Sequence, residues 1–270
     1  MIPKVIHYCW FGGKPLPKIA KKCIQSWKRF CPDYEIVEWN EKNYDIHKNS
    51  YMEEAYLQKK WGFVPDFARL DIIYQNGGIY LDTDVELIRP LDELLYHRAY
   101  MGFEGERDGV TINPGLGFGA EKNNPILLEM MKDIYGNRHF CREDKSIDMT
   151  PSPRLMTDFL VKKGLLVRNQ RQCIGNELEI YPKSFFAPKD FWDGGLFIKA
   201  DTFSIHHYDA SWVDWENRVV KWLRWFLPRF GVFGKGLLFA LTKMFGLIRH
   251  IRLYIARKIK RQKGKHCRRG

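Results

Sequence analysis

The chain has 270 residues and a formal net charge of +12, from 44 Lys and Arg against 32 Asp and Glu. That length accommodates one sizeable α/β core with an appendage. The cysteines at 9, 23, 31, 141, 173 and 267 form no C-x-x-C pair and no zinc-like cluster, which fits free thiols in a reducing compartment rather than a disulfide framework.

The opening residues lack a basic segment followed by a long apolar run, because the apolar stretch 5–11 is cut by Gly12-Gly13. No signal peptide is therefore expected, and a cytoplasmic location is expected with it. Residues 4–8 read as a buried strand. Residues 18–30 carry Ile19, Cys23, Ile24, Trp27 and Phe30 near one helical face, and 35–39 form a second short strand. Over residues 63–75, Phe67, Leu70, Ile73 and Tyr74 repeat on a helical period, and Asn76-Gly77-Gly78 supplies the stop. Ile79-Tyr80-Leu81 is a short β-rich run leading to Asp82 and Asp84. Asp92 can cap a turn after Arg89-Pro90. Further strands are expected at 100–104 and 115–120, and helices at 125–135, opened by Pro125, and 152–164, opened by Ser152-Pro153. Alternating strands and helices imply a largely parallel sheet covered on both faces. Gly115-Leu116-Gly117-Phe118-Gly119 lacks the dinucleotide-binding spacing and reads as a strand approached closely by a neighbour or ligand.

Asp82 and Asp84 stand one residue apart, so on a strand they share a face. Two hard oxygen ligands on one face suit Mg²⁺ or Mn²⁺, ions that partner phosphate oxygens. The pair therefore points to a nucleotide-linked substrate, and it lies at a strand's carboxyl end, where α/β sheets bind ligands. Arg69 is one helical turn from Asp66, so both can face the same side. They form either an ordinary i,i+3 ion pair or a fork and carboxylate suited to a diphosphate and sugar hydroxyls.

Asp66-x-x-Arg69 followed by Gly77-Gly78-Ile79-Tyr80-Leu81-Asp82-Thr83-Asp84 resembles the signature of the family 32 glycosyltransferases with a DXD motif. That group includes yeast mannosyltransferases and bacterial capsule and lipopolysaccharide enzymes, with the clostridial glucosylating toxins as distant relatives. Residues 2–13, with Trp10 before Gly12-Gly13, are similar to the family's first strand and turn. Ile205-His206-His207-Tyr208-Asp209-Ala210-Ser211-Trp212 resembles its closing histidine motif. The three motifs keep the family's order.

The resemblance implies an α/β fold of the GT-A type, a nucleotide-diphospho-sugar transferase domain over residues 1–213, with Mn²⁺ or Mg²⁺ as cofactor. It makes Asp84 a direct metal ligand, and it gives Asp82 the ribose or a water-mediated hold on the metal. His207 would complete the metal shell, with His206 its competitor. Asp66 and Arg69 would bind the donor sugar and join Asp84 as the catalytic set. Trp10 would stack on the nucleotide base (a core tryptophan is the alternative), Asn113 would lie near donor sugar and acceptor, and Ser211 and Trp212 would close over the diphosphate and sugar. Transfer with retention is implied, by a covalent intermediate or by front-face attack, the latter preferred. His7 and Tyr80 are expected to pack or to support their neighbours.

Residues 216–270 hold 16 of the basic residues and one acidic residue, leaving 28 basic against 31 acidic before them. The excess charge thus belongs to a tail, taken as 214–270. Trp215, Trp222, Trp225, Phe226 and Phe230 alternate there with Arg218, Lys221, Arg224 and Arg229. Lys235 and Lys243 interrupt the apolar stretch 230–248, against a spanning helix of about 20 apolar residues. Mixed aromatic and basic residues describe an amphipathic helical segment on an anionic membrane. Nucleic acid is the rival partner for basic clusters, and the apolar content disfavours it. The expected whole is a peripheral enzyme on the inner face of the cell membrane. It would move a hexose, UDP-linked by resemblance, to a lipid-linked glycan or oligosaccharide acceptor in capsule or lipopolysaccharide synthesis. The alternative is a non-catalytic sugar-nucleotide, membrane or nucleic-acid-binding module, against which the presence of both aspartates argues.

Overall fold

The chain begins with β1 (Val5–Cys9), α1 (Lys18–Phe30), β2 (Glu35–Trp39), α2 (Ser50–Leu57), α3 (Pro65–Asn76), β3 (Gly78–Tyr80) and β4 (Val85–Leu87). Then follow β5 (Ala99–Glu104), β6 (Thr111–Ile112), β7 (Phe118–Ala120), α4 (Pro125–Met130), α5 (Ser152–Lys162), β8 (Gln172–Ile174), β9 (Leu178–Tyr181) and β10 (Ser204–His206). These come from a computed structural model that describes residues 1–105, 109–144, 146–190 and 195–209, all within one compact unit. The expected tail, the boundary before it, Ser211 and Trp212 lie outside the described residues.

The expected α/β architecture is built around a sheet ordered β2-β1-β3-β7-β5-β9-β8, with β6 on β5. The sheet is mixed, which corrects the expectation of a largely parallel one. β1 runs parallel to β2 and β3, and β5 to β9, whereas β7 is antiparallel to both its neighbours and β8 to β9. The reason lies in the connections. β8 and β9 are joined by three residues, a link that only an antiparallel pair permits, because parallel neighbours need a long crossover. A separate antiparallel pair joins β10 to β4. Among the described residues no helix is long and apolar enough to cross a membrane. The five cysteines among them, 9, 23, 31, 141 and 173, are free thiols.

Both faces of the sheet are covered. Along β3 and the residue after it, successive side chains point opposite ways: Tyr80 joins a core with residues of α2, α3, α4 and α5, while Ile79 and Leu81 join another with α1. On α1, Ala20, Cys23 and Trp27 are buried at helical spacing, and Trp27 Nε1 donates to Val85 O at 2.7 Å, tying the helix to β4. Burying a side chain of that size contributes about 1.5–3 kcal/mol.

The central helix is α3. Pro65 suits its first turn, where a backbone donor would lack a partner anyway. Ala68, Leu70, Ile72 and Ile73 are buried, and so are Asp66, Arg69 and Asp71, so the helix is enclosed nearly all round. Gly77 at φ 69° ends it in a conformation open to glycine and turns the chain into β3. His7, on β1, fastens this junction: its Nε2 meets Gly77 O and its Nδ1 accepts from Trp39 Nε1, each at 3.0 Å. Packing is thus what His7 does, as expected. These links set the carboxyl ends of β1 and β3 side by side, with the first turns of α3 behind them.

Candidate active site

β3 stops at Tyr80, so Asp82 and Asp84 sit in the turn between β3 and β4. They do not alternate along a strand, and the turn itself brings them together. Asp82 N donates to Gly115 O at 3.2 Å, and Val85 N to Asp82 O at 3.0 Å. Tyr80 OH donates to Asp82 Oδ1 at 3.0 Å, which gives the expected supporting tyrosine a specific job. Gly115 lies against the carboxylate: a Cβ there would stand 2.2 Å from Asp82 Oδ2. The glycine-rich run is therefore approached by a neighbour, as expected, although its first half is a 3₁₀ turn over Pro114–Leu116 and only Phe118–Ala120 is strand.

Asp66 and Arg69 enter from the first turns of α3, 3% and 4% exposed. Arg69 Nη2 donates to Asp66 Oδ1 at 2.7 Å, Nε donates to Pro65 O at 3.0 Å, and Nη1 lies 3.7 Å from Asp82 Oδ1. Its guanidinium also lies over the Tyr80 ring, 5.2 Å from the centroid. This is no surface ion pair. One buried cation joins the α3 carboxylate to the acidic turn.

The histidine that the structure brings to the aspartates is His206, not the expected His207. Asp82, Asp84 and His206 each offer a ligand atom within 4.8 Å of the others, with His206 Nε2 3.2 Å from Asp84 Oδ1. His207 Nε2 instead meets Glu86 Oε2 at 2.7 Å, and Glu86 also binds Lys22 at 2.8 Å. The correction follows from strand alternation. β10 pairs with β4 so that Ile205 opposes Glu86 and His206 opposes Val85; His207, two residues beyond Ile205, falls on the Glu86 side. The backbone of His207 still serves the site, since its N donates to Asp84 O at 2.9 Å. Asp209 N donates to Asp84 Oδ2 at 2.7 Å, so the chain after β10 wraps the second aspartate.

The donor set fits a divalent cation. Two carboxylates and one imidazole suit Mn²⁺, and the two hard oxygens suit Mg²⁺. His206 Nδ1 is also buried without a hydrogen-bond partner among the described residues, polar capacity that a bound group would use.

Electrostatics separate the carboxylates. Burial pushes the Asp66 carboxyl up to about 6, against the pull of Arg69. Burial also raises Asp82, with Arg69 opposing and Asp84 repelling. Burial acts upward on Asp84 too, but His206 and the Asp209 N–H outweigh it and hold that carboxyl well below the usual range. Burial lowers His206, and Asp84 more than reverses this, so its imidazole is raised. Asp84 is thus the carboxylate kept charged as a ligand must be.

Trp10 follows β1, half-buried, with its backbone N bound to Trp39 O at 2.8 Å and its indole N–H to Lys14 O. It packs against the α1 core, which is the alternative expectation for it. Asn113 caps the 3₁₀ turn through Gly115 N at 2.7 Å and donates from Nδ2 to Glu104 Oε2 at 2.7 Å. Glu104 was not anticipated. Burial raises its carboxyl, and Tyr208 hydrogen-bonds to it alongside Asn113; as the last residue of an apolar strand it carries no motif that reveals it. The structure therefore gathers Asp66, Arg69, Asp82, Asp84, Asn113, Glu104 and His206, and turns the side chain of His207 away.

Comparison with known proteins agrees with the location. Residues 17–101 match a family described as glycosyltransferase sugar-binding region containing DXD motif, a span that holds Asp66, Arg69, Asp82 and Asp84. Inositol phosphoceramide mannosyltransferase 3 of Schizosaccharomyces pombe is 31% identical over 144 residues, covering 49% of this chain and 37% of that protein. Initiation-specific alpha-1,6-mannosyltransferase of Candida albicans is 27% identical over 151 residues, 52% of this chain and 37% of that protein. Both matches thus span 37% of the relative's length. Among solved structures, PaToxG glycosyltransferase aligns at 22% identity and a TM-score of 0.47 over 60% of this chain and 69% of that one.

Proposed function

We propose that this chain, which matches a DXD-containing glycosyltransferase sugar-binding region over residues 17–101, is a metal-dependent retaining transferase. It moves a hexose from a nucleotide-diphosphate sugar to a lipid-linked glycan. The observation that carries the reading is the Arg69 bridge. One buried guanidinium reaches Asp66 at 2.7 Å and Asp82 at 3.7 Å, so a carboxylate fit for sugar hydroxyls and an acidic turn fit for a cation share one positive charge.

In this reading Asp66 accepts hydrogen bonds from the sugar, and Arg69 keeps its carboxylate ionised near neutrality although burial lifts it to about 6. Trp10 offers its ring to the base at the end of β1. Asn113, fixed by Gly115 and Glu104, faces donor and acceptor. A divalent cation held by Asp82, Asp84 and His206 would neutralise charge on the departing diphosphate. Asp66 and Glu104 are held by hydrogen bonds to Arg69 and Asn113, and burial raises both carboxyls, which weakens each as a ready anionic nucleophile. That supports front-face attack over a covalent intermediate.

The acceptor is inferred from two sources. The S. pombe relative is named for inositol phosphoceramide, a lipid, and the aromatic, basic composition of residues 214–270 suits an anionic membrane. The first supports a lipid acceptor and the second a membrane surface; we place that work at the inner membrane face, in surface-polysaccharide assembly. UDP is the proposed donor base, and the mannosyltransferase relatives make GDP-linked hexoses the necessary second arm of any screen. UDP- and GDP-hexoses incubated with the full chain test the reading: one donor should be hydrolysed with Mn²⁺ and spared in EDTA. Hydrolysis of none, or undiminished hydrolysis in EDTA, contradicts it. For the membrane, the full chain should float with anionic vesicles and a chain ended at residue 213 should not. Retention by RNA without vesicle binding overturns that part.

A further inference from the structure

Four carboxylates converge on the site, Asp66, Asp82, Asp84 and Glu104, and the cations around them are nearly all committed. Arg69 binds Asp66 at 2.7 Å and approaches Asp82, His206 faces Asp84, and Lys22 is held by Glu86 at 2.8 Å. Lys189 differs. Its half-buried ammonium donates at 3.4 Å to a backbone carbonyl, His207 O, at the far limit of hydrogen bonding. Among the described residues no carboxylate lies within ion-pair distance of it.

The position of Lys189 is built, not casual. Its backbone bridges to Leu196, Asp190 N donates to Gly195 O at 2.7 Å, and Phe197 N donates to Pro188 O at 3.0 Å. Its head reaches the segment after β10 that wraps Asp84, and it is close enough to Asp84 to feel that charge. Partial burial of an ammonium without an anionic partner costs desolvation and side-chain freedom. An arriving anion would recover that cost.

We infer that Lys189 is a diphosphate-binding residue, its ammonium donating to non-bridging oxygens of a nucleoside diphosphate held beside Asp84. The inference rests on the donor reading above and adds the protein's own cation to that subsite. A nucleoside diphosphate carries two to three negative charges near neutral pH, more than one divalent ion balances, and Arg69 is tied to two carboxylates. A compact point charge on a flexible stem suits phosphate oxygens in several orientations, which lets Lys189 hold the diphosphate in the donor and in the product.

The test is calorimetric titration of the full chain with UDP and GDP in Mn²⁺, and separately with uridine and guanosine. In wild type, at least one diphosphate should bind. Lys189→Met should weaken that diphosphate about ten- to a hundredfold, the worth of one charge-assisted hydrogen bond, and leave the matching nucleoside unchanged. Lys189→Arg should restore most of the affinity. If Lys189→Met lowers the melting temperature, Lys189→Gln makes the same comparison. Diphosphate binding equal to wild type in these variants, or equal loss for nucleoside and diphosphate, overturns the assignment of Lys189. Wild type that binds neither diphosphate overturns the donor reading itself.

Discussion

Replacing Gly115 by alanine perturbs the acidic turn without removing or adding any charged group. The new Cβ would stand 2.2 Å from Asp82 Oδ2 and 3.0 Å from its Cγ. Ordinary contact begins at 3.4 Å, so the carboxylate must retreat by about 1.2 Å to relieve the overlap. That movement breaks a fitted arrangement, because the other oxygen, Oδ1, is placed by Tyr80 at 3.0 Å and Arg69 at 3.7 Å. A displacement of about 1 Å in a reacting constellation costs roughly a hundredfold in rate. The fold should lose only about 1–3 kcal/mol, the usual cost of an extra methyl in a packed site. Donor hydrolysis in Mn²⁺ should therefore fall about a hundredfold in kcat/KM, while the melting transition stays cooperative and shifts by a few degrees. Activity close to wild type in Gly115→Ala would refute the reasoning, since Asp82 would then work equally well from elsewhere.

The two histidines separate cleanly. His206→Ala should weaken Mn²⁺ binding, read by electron paramagnetic resonance, by about tenfold or more, whereas His207→Ala should leave it near wild type because that ring meets Glu86. Arg69→Met strands a buried Asp66 and should cost about 3–5 kcal/mol in urea unfolding; a loss below 1 kcal/mol would show that the pair is not enclosed as described. His7 gives a pH signature. Burial lowers its imidazole to about 4 from an ordinary 6.5, so the unfolded chain binds the extra proton first, and stability is full above pH 6.5 and lost as pH falls toward 4. The loss amounts to about 3 kcal/mol, and the difference in unfolding free energy between pH 7 and pH 4.5 should shrink in His7→Gln.

The sequence carried the front of the site well because each signal there is local. Pro65 and Gly77 bound a helix whose apolar residues repeat, so α3 and the neighbourhood of Asp66 with Arg69 were legible. The sheet's direction was not. β6, β7 and β8 have two or three residues each, too few to show a period, and their antiparallel pairings make the sheet mixed. The place of His206 beside the aspartates was not legible for the same reason: choosing between His206 and His207 requires the register of β10 on β4, which nothing local specifies. Glu104 reaches the site, and Lys189 the segment after β10, through long-range packing alone. Gly115, by contrast, belonged to a run already marked for a close neighbour, and the structure supplied that neighbour as Asp82.

The most direct test is the metal dependence of donor hydrolysis in Asp84→Asn beside wild type, each checked for the same melting behaviour. Asp84 is the carboxylate that His206 and Asp209 keep charged, so amide replacement removes a ligand and retains the shape. Wild type should hydrolyse a nucleotide-diphosphate hexose in proportion to bound Mn²⁺, and Asp84→Asn should bind the ion weakly and show no Mn²⁺-stimulated turnover. Full Mn²⁺-stimulated turnover in Asp84→Asn would contradict the central claim that the turn between β3 and β4 is the metal end of a donor-sugar site.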